Sequence, residues 1–318
     1  MDQKRFPVLR KTAACLALLG LASCTPPSPP EEQPTPPLPQ AEAPPATGSR
    51  IAYVRSVAGH APRFDLMIAE ADGSAPQVLD SSPEPIMTPS WSPDGQRIVF
   101  SGYEHGAAAT FIEDLATRQR SVLTAEKGIN GAPAWSPDGS RIALTLSFGH
   151  NPDIYIVNLA GGARTRITAD PAIDTEPSWS PDGRSLAFIS DRTGFPQIYT
   201  VRLSGGVPLM LTTPGKRAEQ PRYSPDGRSM AMVVSEGTRY RIGLLHLDNG
   251  AFEYLSPGPM DESPSFSPDG GQLIYSADNG AGGRLELISL DSHARRELTG
   301  AGDARFPSWS PSFALSGK

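Results

Sequence analysis

One short motif recurs at a nearly constant interval through most of this chain. Its copies read PSWSPDGQ, PAWSPDGS, PSWSPDGR, PRYSPDGR, PSFSPDGG and PSWSPSF, and their first prolines lie 44, 44, 44, 43 and 43 residues apart. These prolines are Pro89, Pro133, Pro177, Pro221, Pro264 and Pro307. A period of this length indicates a stacked or radial repeat fold. All four tryptophans occupy one register, with Tyr223 and Phe266 in the other two copies. Since a catalytic group is needed once and a packing group in every repeat, WSPDG predicts architecture.

A single module predicts four β-strands. Residues 177–212 contain the runs SWS, SLAFIS, QIYTVRL and PLMLT, each bounded by Gly, Pro or Asp. Such short runs, rich in β-branched and aromatic residues and joined by hairpin-length connections, are typical of strands. No window shows a sustained helical period. Four strands in a repeat of about 44 residues indicate the blade of a β-propeller.

The two ends of the repeat region complement each other. The segment from Ile51 has three strand runs and no preceding motif, whereas the last motif, at Pro307, has no strands after it. We therefore expect residues 50–318 to form an all-β, six-bladed β-propeller with four antiparallel strands per blade. The C-terminal strand is expected to join the N-terminal blade and close the ring, which removes the exposed sheet edges of an open array.

The SPDG part of the motif predicts a tight turn. Proline suits the second position of a type I turn, and glycine allows the positive φ that the chain needs to enter the next strand. The aspartate is expected to bind local backbone amides, and the aromatic residue to pack between blades. Five aspartates are therefore interpreted as structural: Asp94, Asp138, Asp182, Asp226 and Asp269.

Residues 1–23 have the pattern of a secretory signal peptide. Four basic residues precede the apolar run TAACLALLGLAS, which is too short to span a bilayer. The run ends in LASC, which resembles the lipobox of bacterial lipoproteins, so Cys24 is the predicted lipidation site. Thr25, rather than Asp, fits sorting to the outer membrane. The alternative is an incidental cysteine in an ordinary signal peptide.

Residues 24–49 are predicted to be a spacer. The stretch from Thr25 to Gly48 holds ten prolines and no aromatic residue, a composition typical of extended polyproline II. At about 3.1 Å per residue it could reach up to ~75 Å. A PxxP docking role for TPPLP is the alternative.

The charge balance argues against nucleic acid as a partner. The chain carries a net charge of −6, and loss of residues 1–23, with four positive charges and Asp2, would change this to −9. Phosphate binding needs clustered Lys and Arg instead.

The variable residues lie just before each motif proline. These triplets read IMT, NGA, DTE, AEQ, DES and ARF, and we expect them at one mouth of the central channel. They bring Asp174 together with the predicted partner-binding residues, which are Ala132, Thr175, Glu176, Glu219, Gln220, Asp261, Glu262 and, as the lone cation, Arg305. The alternative is a solvated acidic rim with no partner.

The modules resemble the TolB C-terminal β-propeller family, with its WD40-like PD40 repeats. NGAPAWSPDGS, DTEPSWSPDG, MDESPSFSPDG and RFPSWSP look like the corresponding TolB blades in the same order. The resemblance covers about residues 50–313. It implies a mouth that receives the lipoprotein Pal, with Ala132, Thr175 and Glu176 at the family's partner-contacting places.

The chain also departs from that family. A histidine often precedes NGAP in TolB, and here Ile129 occupies that place. A lipobox and a proline-rich stretch stand where TolB has an N-terminal α/β domain and the extension that engages TolA. TolB is soluble, whereas this chain is predicted to be anchored.

The histidines do not predict a metal site. His60, His105 and His150 lie 45 residues apart in equivalent loops, but blades about 60° apart would hold them too far from one ion for nitrogens to reach the roughly 2 Å of a zinc bond.

No catalytic residue, metal or cofactor is predicted. GxSxG and HExxH are absent, and both cysteines, Cys15 and Cys24, lie in or beside the signal peptide. We therefore expect a non-catalytic, monomeric scaffold, anchored to the outer membrane and facing the periplasm, which binds a periplasmic or outer-membrane protein. The alternative is a propeller that binds a small ligand or cation, or a metal-assisted enzyme in the channel.

Overall fold

The computed structural model describes residues 48–59, 62–213, 215–280, 282–299 and 303–312. The chain divides into two units, Met1–Pro37 and Leu38–Lys318, and every described residue belongs to the second. The predicted signal peptide, Cys24, nearly all of the predicted spacer and His60 lie outside the described residues. No helix in the described part of the chain has the length and hydropathy needed to cross a membrane.

The described residues form 24 strands and no helix. The first eleven strands are β1 (Arg50–Val57), β2 (Arg63–Glu70), β3 (Gln77–Ser82), β4 (Met87–Trp91), β5 (Arg97–Glu104), β6 (Ala107–Asp114), β7 (Arg120–Thr124), β8 (Asn130–Trp135), β9 (Arg141–Leu146), β10 (Asp153–Asn158) and β11 (Arg164–Arg166). The next eight are β12 (Asp174–Trp179), β13 (Ser185–Ser190), β14 (Gln197–Arg202), β15 (Leu209–Met210), β16 (Arg217–Tyr223), β17 (Ser229–Glu236), β18 (Arg239–His246) and β19 (Phe252–Tyr254). The last five are β20 (Met260–Phe266), β21 (Gln272–Asp278), β22 (Gly283–Ser289), β23 (Arg295–Glu297) and β24 (Asp303–Trp309).

Four-stranded antiparallel sheets are the unit of the fold. The orders β24-β1-β2-β3, β4-β5-β6-β7, β8-β9-β10-β11 and β12-β13-β14-β15 each form one sheet. The remaining strands form an eight-stranded sheet, in which β16–β19 and β20–β23 are linked by one parallel pair, Tyr240 with Met260. No sheet among the described strands closes on itself by hydrogen bonds. The prediction of an all-β, propeller-like fold of four-stranded antiparallel sheets is confirmed.

Six strands contain the motif proline, and we call β4, β8, β12, β16, β20 and β24 the motif strands. Each contacts the next one along the chain, and β24 also contacts β4. In the first sheet, β24 pairs antiparallel with β1, so that Ile51 lies opposite Trp309. The first and last described strands are therefore neighbours.

The motif aromatics pack between neighbouring sheets, as predicted. Each ring shares a hydrophobic cluster with a residue on the second strand of the preceding sheet: Trp91 with Ala52, Trp135 with Val99, Trp179 with Ala143, Tyr223 with Ala187, Phe266 with Ala231 and Trp309 with Ile274. Two indole N–H groups also cross to the preceding motif strand. Trp179 Nε1 donates to the Ala134 carbonyl at 3.0 Å, and Trp91 Nε1 to the Ser308 carbonyl at 3.1 Å.

The SPDG segments form the predicted turn. In the third motif, the Ser180 hydroxyl donates to Asp182 at 2.6 Å, and the Arg184 amide donates to the same carboxylate oxygen at 3.0 Å. The hydrogen bond from Ser180 lowers the pKa of Asp182. Equivalent bonds involve the other four aspartates, and the glycines that follow have φ between 64° and 76°. The structural interpretation of these aspartates is confirmed.

Removal of one interface ring should destabilise the whole domain. Trp179→Ala is expected to lower the free energy of unfolding by about 3–5 kcal/mol, the usual cost of deleting a large buried aromatic side chain. Trp179→Phe keeps a ring of the kind found at Phe266 and should cost less. Chemical denaturation measures both, with Phe195→Ala as a control because Phe195 is 62% exposed. Equal losses of stability for Trp179→Ala and Phe195→Ala would contradict the role of the Trp179 ring in packing between sheets.

Candidate functional site

Each motif strand is irregular at the residue just before its proline. All six of these residues have a left-handed backbone, with φ of 49° at Thr88, 49° at Ala132, 53° at Glu176, 55° at Gln220, 57° at Ser263 and 54° at Phe306. The register with the neighbouring strand shifts at the same place in every sheet. A left-handed backbone is uncommon outside glycine and costs on the order of 1–3 kcal/mol. Six equivalent positions of differing chemistry are therefore held in one strained conformation, which we call the bulge position.

Hydrogen bonds from the preceding repeat hold this conformation. The amide of Ala132 donates to the Ser101 hydroxyl at 3.0 Å, and the amide of Glu176 donates to the Thr145 hydroxyl at 3.2 Å. At a third junction, the Phe306 amide donates to Ser276 at 3.1 Å. Each acceptor lies on the second strand of the preceding sheet, so adjacent repeats fix each other's bulge.

Gln220 connects two bulge positions directly. Its side-chain Oε1 accepts a hydrogen bond of 2.6 Å from the Ser263 amide. Gln220 therefore helps to hold the next repeat in place and has less freedom than an exposed glutamine to rearrange around a partner.

All six motif strands line one cavity of about 220 Å³. Its wall is built mainly from residues at the bulge position, the motif prolines and the residues that follow them. Five hydroxyl side chains contribute: Thr88, Ser90, Ser178, Ser265 and Ser308. The charged side chains among its described lining residues are Glu176 and Arg222.

Arg222 is a departure from the repeat pattern. The residue after the motif proline is otherwise small: Ser90, Ala134, Ser178, Ser265 and Ser308. The guanidinium of Arg222 donates from Nη1 to the Pro221 carbonyl at 2.8 Å. Burial lowers its pKa, and the nearby Glu176 opposes that shift. A cation therefore projects into a cavity that the other repeats line with small side chains.

Glu176 is the titratable partner of Arg222. Burial raises the pKa of Glu176 to about 7; the charge of Arg222 acts against this rise, and the carboxylates of Glu219 and Glu262 add to it. Both Glu176 and Arg222 keep partial access to solvent. Near neutral pH, the Glu176 carboxyl is therefore divided between its protonated and ionised forms.

A second depression, the outer groove, lies between the third and fourth repeats. It has a volume of about 490 Å³, and its lining includes four of the predicted partner-binding residues: Thr175, Glu176, Glu219 and Gln220. Arg217 lies at its edge and pairs with Glu219 at 3.1 Å. Glu176 borders both the cavity and the outer groove, so the two sites meet at that side chain.

Asp261 and Asp174 do not lie on the mouth as expected. Asp261 is 3% exposed and accepts a 2.8 Å hydrogen bond from the Gly258 amide, and burial raises its pKa. Asp174 is fully buried and pairs with Arg192 at 3.1 Å. Successive strand residues face opposite sides of a sheet, and the third residue before the motif proline is directed into the sheet interior. The placement of these two aspartates is thus corrected.

The remaining predicted residues lie near the starts of their motif strands. Ala132 lines the cavity, and Glu262 is half-buried with its pKa raised by burial. Arg305 pairs with Asp278 at 2.6 Å and Asp303 at 2.7 Å. It is therefore neutralised, and it stays the one cation among the six triplets, since Arg217 and Arg222 lie outside them.

Exposed apolar side chains are the feature that the sequence analysis missed. Ile129, Ile173 and Met260 occupy one register, the fourth residue before the motif proline, and are 46%, 48% and 42% exposed. Phe148 and Phe195, 37% and 62% exposed, lie in loops between second and third strands at the same end of their sheets. We call this end the mouth face. The sequence signal for this face was the equal spacing of Ile129, Ile173 and Met260 from the motif proline.

The histidines remain apart from the cavity. His105 and His150 are exposed in the β5–β6 and β9–β10 loops. Across the described ranges, no group of three or more His, Cys, Asp and Glu residues is arranged to hold a metal ion.

Comparison with known proteins identifies the repeat. The family profile described as PD40, TolB beta propeller domain, matches residues 44–313. Two curated relatives are named Tol-Pal system protein TolB. The one from Xanthomonas oryzae pv. oryzae (strain PXO99A) is 43% identical over 85 residues, and the one from Xylella fastidiosa (strain M12) is 41% identical over 85 residues. Each match covers 26% of this chain and 19% of the relative, so it spans about a fifth of the relatives' length.

A solved structure extends this likeness over most of the chain. The crystal structure of TolB from Acinetobacter baumannii is 39% identical and superposes with a TM-score of 0.78. The match covers 83% of this chain and 67% of that chain.

Titration of Glu176 should appear in the stability of the protein. Because burial raises the pKa of Glu176 in the folded state to about 7 from its ordinary value of 4.5, the stability that this carboxyl contributes is fully present below about pH 4.5 and is lost as the pH rises to about 7. Glu176→Gln mimics the protonated form. Its free energy of unfolding should therefore rise relative to that of the wild type over that interval, by on the order of 2 kcal/mol.

Denaturant unfolding at several pH values measures the effect of Glu176→Gln. Glu113→Gln is the matched variant, because burial also raises the pKa of Glu113 to about 7 and Glu113 is not among the residues lining the cavity or the outer groove. Both variants should flatten the pH profile. A wild-type slope that Glu176→Gln leaves unchanged would contradict the assigned titration.

Proposed function

The chain belongs to the family of TolB beta propeller domains, and from that premise we propose that it is a non-catalytic scaffold of the bacterial cell envelope. The observation that carries the proposal is the mouth face, where variable residues held by the strained bulge stand beside exposed apolar side chains. A protein partner docks there.

We further propose that the sheets form a closed ring of six blades. The pairing of β24 with β1 supports closure, because it completes a four-stranded sheet from the two ends of the domain. The contacts that run from each motif strand to the next, and from β24 to β4, support a circular order. The cavity lined by all six motif strands is then the central channel.

The chemistry of the mouth face fits a protein partner. Ile129, Ile173 and Met260 provide apolar contact area around the rim, and exposed apolar patches rimmed by polar residues mark interaction sites. The outer groove adds Thr175, Glu219 and their hydrogen-bond acceptors. A partner segment with an apolar side chain would bury that side chain against the apolar rim. Basic or amide N–H donors of the same segment would pair with the acceptors of the outer groove.

The proposed setting is the periplasmic side of the outer membrane. The relatives named Tol-Pal system protein TolB make a Pal-like lipoprotein the leading candidate partner, and any other periplasmic or outer-membrane protein the alternative. Lipidated Cys24 would anchor the monomer, residues 24–49 would act as a spacer, and the domain would begin near Arg50. Ala132, Glu262 and Arg305 complete the proposed contact surface, whereas Asp261 would act only by supporting it from the interior.

Charge and polarity changes on the mouth face should abolish capture of the partner. In the double variant, Ile173→Asp places a charge in the apolar rim, and Glu219→Lys replaces a hydrogen-bond acceptor of the outer groove by a donor of opposite charge. Affinity capture from solubilised envelopes should recover at least roughly tenfold less of the bound protein, the effect of losing about 1.4 kcal/mol.

The matched control for the capture experiment combines a residue of the β14–β15 loop with one on the outer strand β23. Val207→Asp with Glu297→Lys makes the same two kinds of change at exposed positions away from the mouth face. This variant should capture as the wild type does. Equal losses in both double variants would contradict docking at the mouth.

Anchoring at Cys24 is tested separately. Wild-type protein is expected to incorporate a palmitate analogue and to sediment with membranes, because multiple acyl chains give stable attachment where one is marginal. Cys24→Ser should lose the label and become soluble. Label retained by Cys24→Ser would rule out this cysteine as the modified residue, whereas Cys15→Ser is the control and should keep both properties.

A further inference from the structure

Arg222 has hydrogen-bonding capacity that the fold does not use. A guanidinium carries five N–H donors in a fixed plane. Among the residues that the structure describes, the hydrogen bond made by this guanidinium runs from Nη1 to the Pro221 carbonyl. No ion pair joins it to a described carboxylate, and Glu176 acts on it through charge alone. Since Arg222 is among the residues lining the cavity, its remaining donors are available there.

The scaffold does not need a cation at this position. The five equivalent positions, on the bulged motif strands of the other repeats, carry serine or alanine, and those repeats pack in the same way. Placing a guanidinium in a cavity where it keeps only partial access to solvent also costs desolvation energy, as the lowered pKa of Arg222 reflects. A residue that the architecture does not require, held at an energetic cost, points to a binding role.

We propose that the cavity is a receptor for one carboxylate group, held by the guanidinium of Arg222. The inference goes beyond docking at the mouth face, and it stands on the cavity alone. The carboxylate can belong to a free small acid or to an acidic side chain that a docked protein inserts. Both sources present the same planar group to the same donors.

The guanidinium and the hydroxyl groups of the cavity fit a carboxylate. A planar fork of N–H donors matches a carboxylate in bidentate geometry. Hydroxyl groups of Ser90, Ser178 and Ser308 also line the cavity and can donate to the carboxylate oxygens. A volume of about 220 Å³ admits a small acid or the end of one side chain.

The charges around the cavity select a single negative charge. Arg222 neutralises one, while Glu219 on the same strand and Glu262 on the next motif strand act on the adjoining Glu176. A phosphate dianion would leave an excess negative charge beside these two carboxylates. The site therefore favours a carboxylate over a phosphate.

Glu176 makes the affinity depend on pH. In its protonated form the carboxyl can donate a hydrogen bond to the bound carboxylate, whereas in its ionised form it repels the ligand and competes for Arg222. The charged groups that face it are Arg222, Glu219 and Glu262. Binding should therefore be tighter at about pH 6 than at about pH 8.

Calorimetric titration of the full chain with sodium acetate tests the site. The wild type is expected to bind one acetate per chain, and Arg222→Ser, which restores the residue of the neighbouring repeats, should bind at least roughly tenfold more weakly, as expected from loss of a charge-assisted hydrogen bond. Arg222→Lys keeps the charge but not the fork and should fall between them. Arg217→Ser removes a cation of the outer groove and should bind as the wild type does.

A second probe separates the two sources of the carboxylate. A short capped peptide with one aspartate is compared with its asparagine analogue on the same variants. Binding of acetate assigns the site to free acids, and binding of the aspartate peptide alone assigns it to an inserted side chain. If neither probe distinguishes wild type from Arg222→Ser in chains that melt alike, the proposal is overturned.

Acetate binding is measured without a protein partner, so its outcome is independent of docking at the mouth. Arg222→Ser leaves the apolar rim in place, so a loss of acetate binding with normal partner capture separates the two sites. Loss of capture in the double variant at Ile173 and Glu219, with acetate binding intact, would show that the partner uses the mouth face and that acetate binding does not depend on it.

Discussion

Each sheet of this protein is apolar on both faces and cannot bury itself alone. The ring two residues after each motif proline fills the contact with the preceding sheet, and the six rings occupy equivalent places. Tyr223 and Phe266 substitute for tryptophan there, which shows that the contact requires a flat apolar ring more than an indole. Because a repeat of this kind is stabilised by its neighbours, the rest of the structure depends on this packing. The SPDG turn places the next strand against the ring.

The same packing positions the candidate site. A hydroxyl on the second strand of one sheet binds the amide at the bulge position of the next, as between Thr145 and Glu176. The neighbouring repeat thereby stabilises a left-handed backbone that would be costly in isolation. The strain directs a residue of variable chemistry toward the cavity while the aromatic ring, three residues later, keeps the sheet in place. Scaffold and site are thus adjacent parts of one motif, and side chains as different as those of Ala132, Glu176 and Phe306 occupy the bulge position.

The periodic features could be predicted from sequence, because they depend on local residues. The four strands, the SPDG turn and the aromatic wedge all follow from residue type and spacing. The finer placement could not be predicted, because it depends on strand facing and on distant partners. Asp261 and Asp174 face inward through the alternation of the strand, and Arg305 is neutralised by Asp278 in the preceding repeat. Arg222 was overlooked because it follows the proline, although it was the one large residue in a register of serine and alanine.

The central claim is that the mouth face binds partners, while the opposite end of the sheets, which carries the SPDG turns, only supports the fold. Site-specific photo-cross-linking in intact cells tests this most directly, with a photoreactive residue at Thr175 on the mouth face or at Arg184, which is exposed in the SPDG turn at the opposite end of the same sheet. The account predicts a discrete cross-linked protein from position 175 and none from position 184. Equal cross-linking from both positions, or cross-linking from position 184 alone, would contradict it.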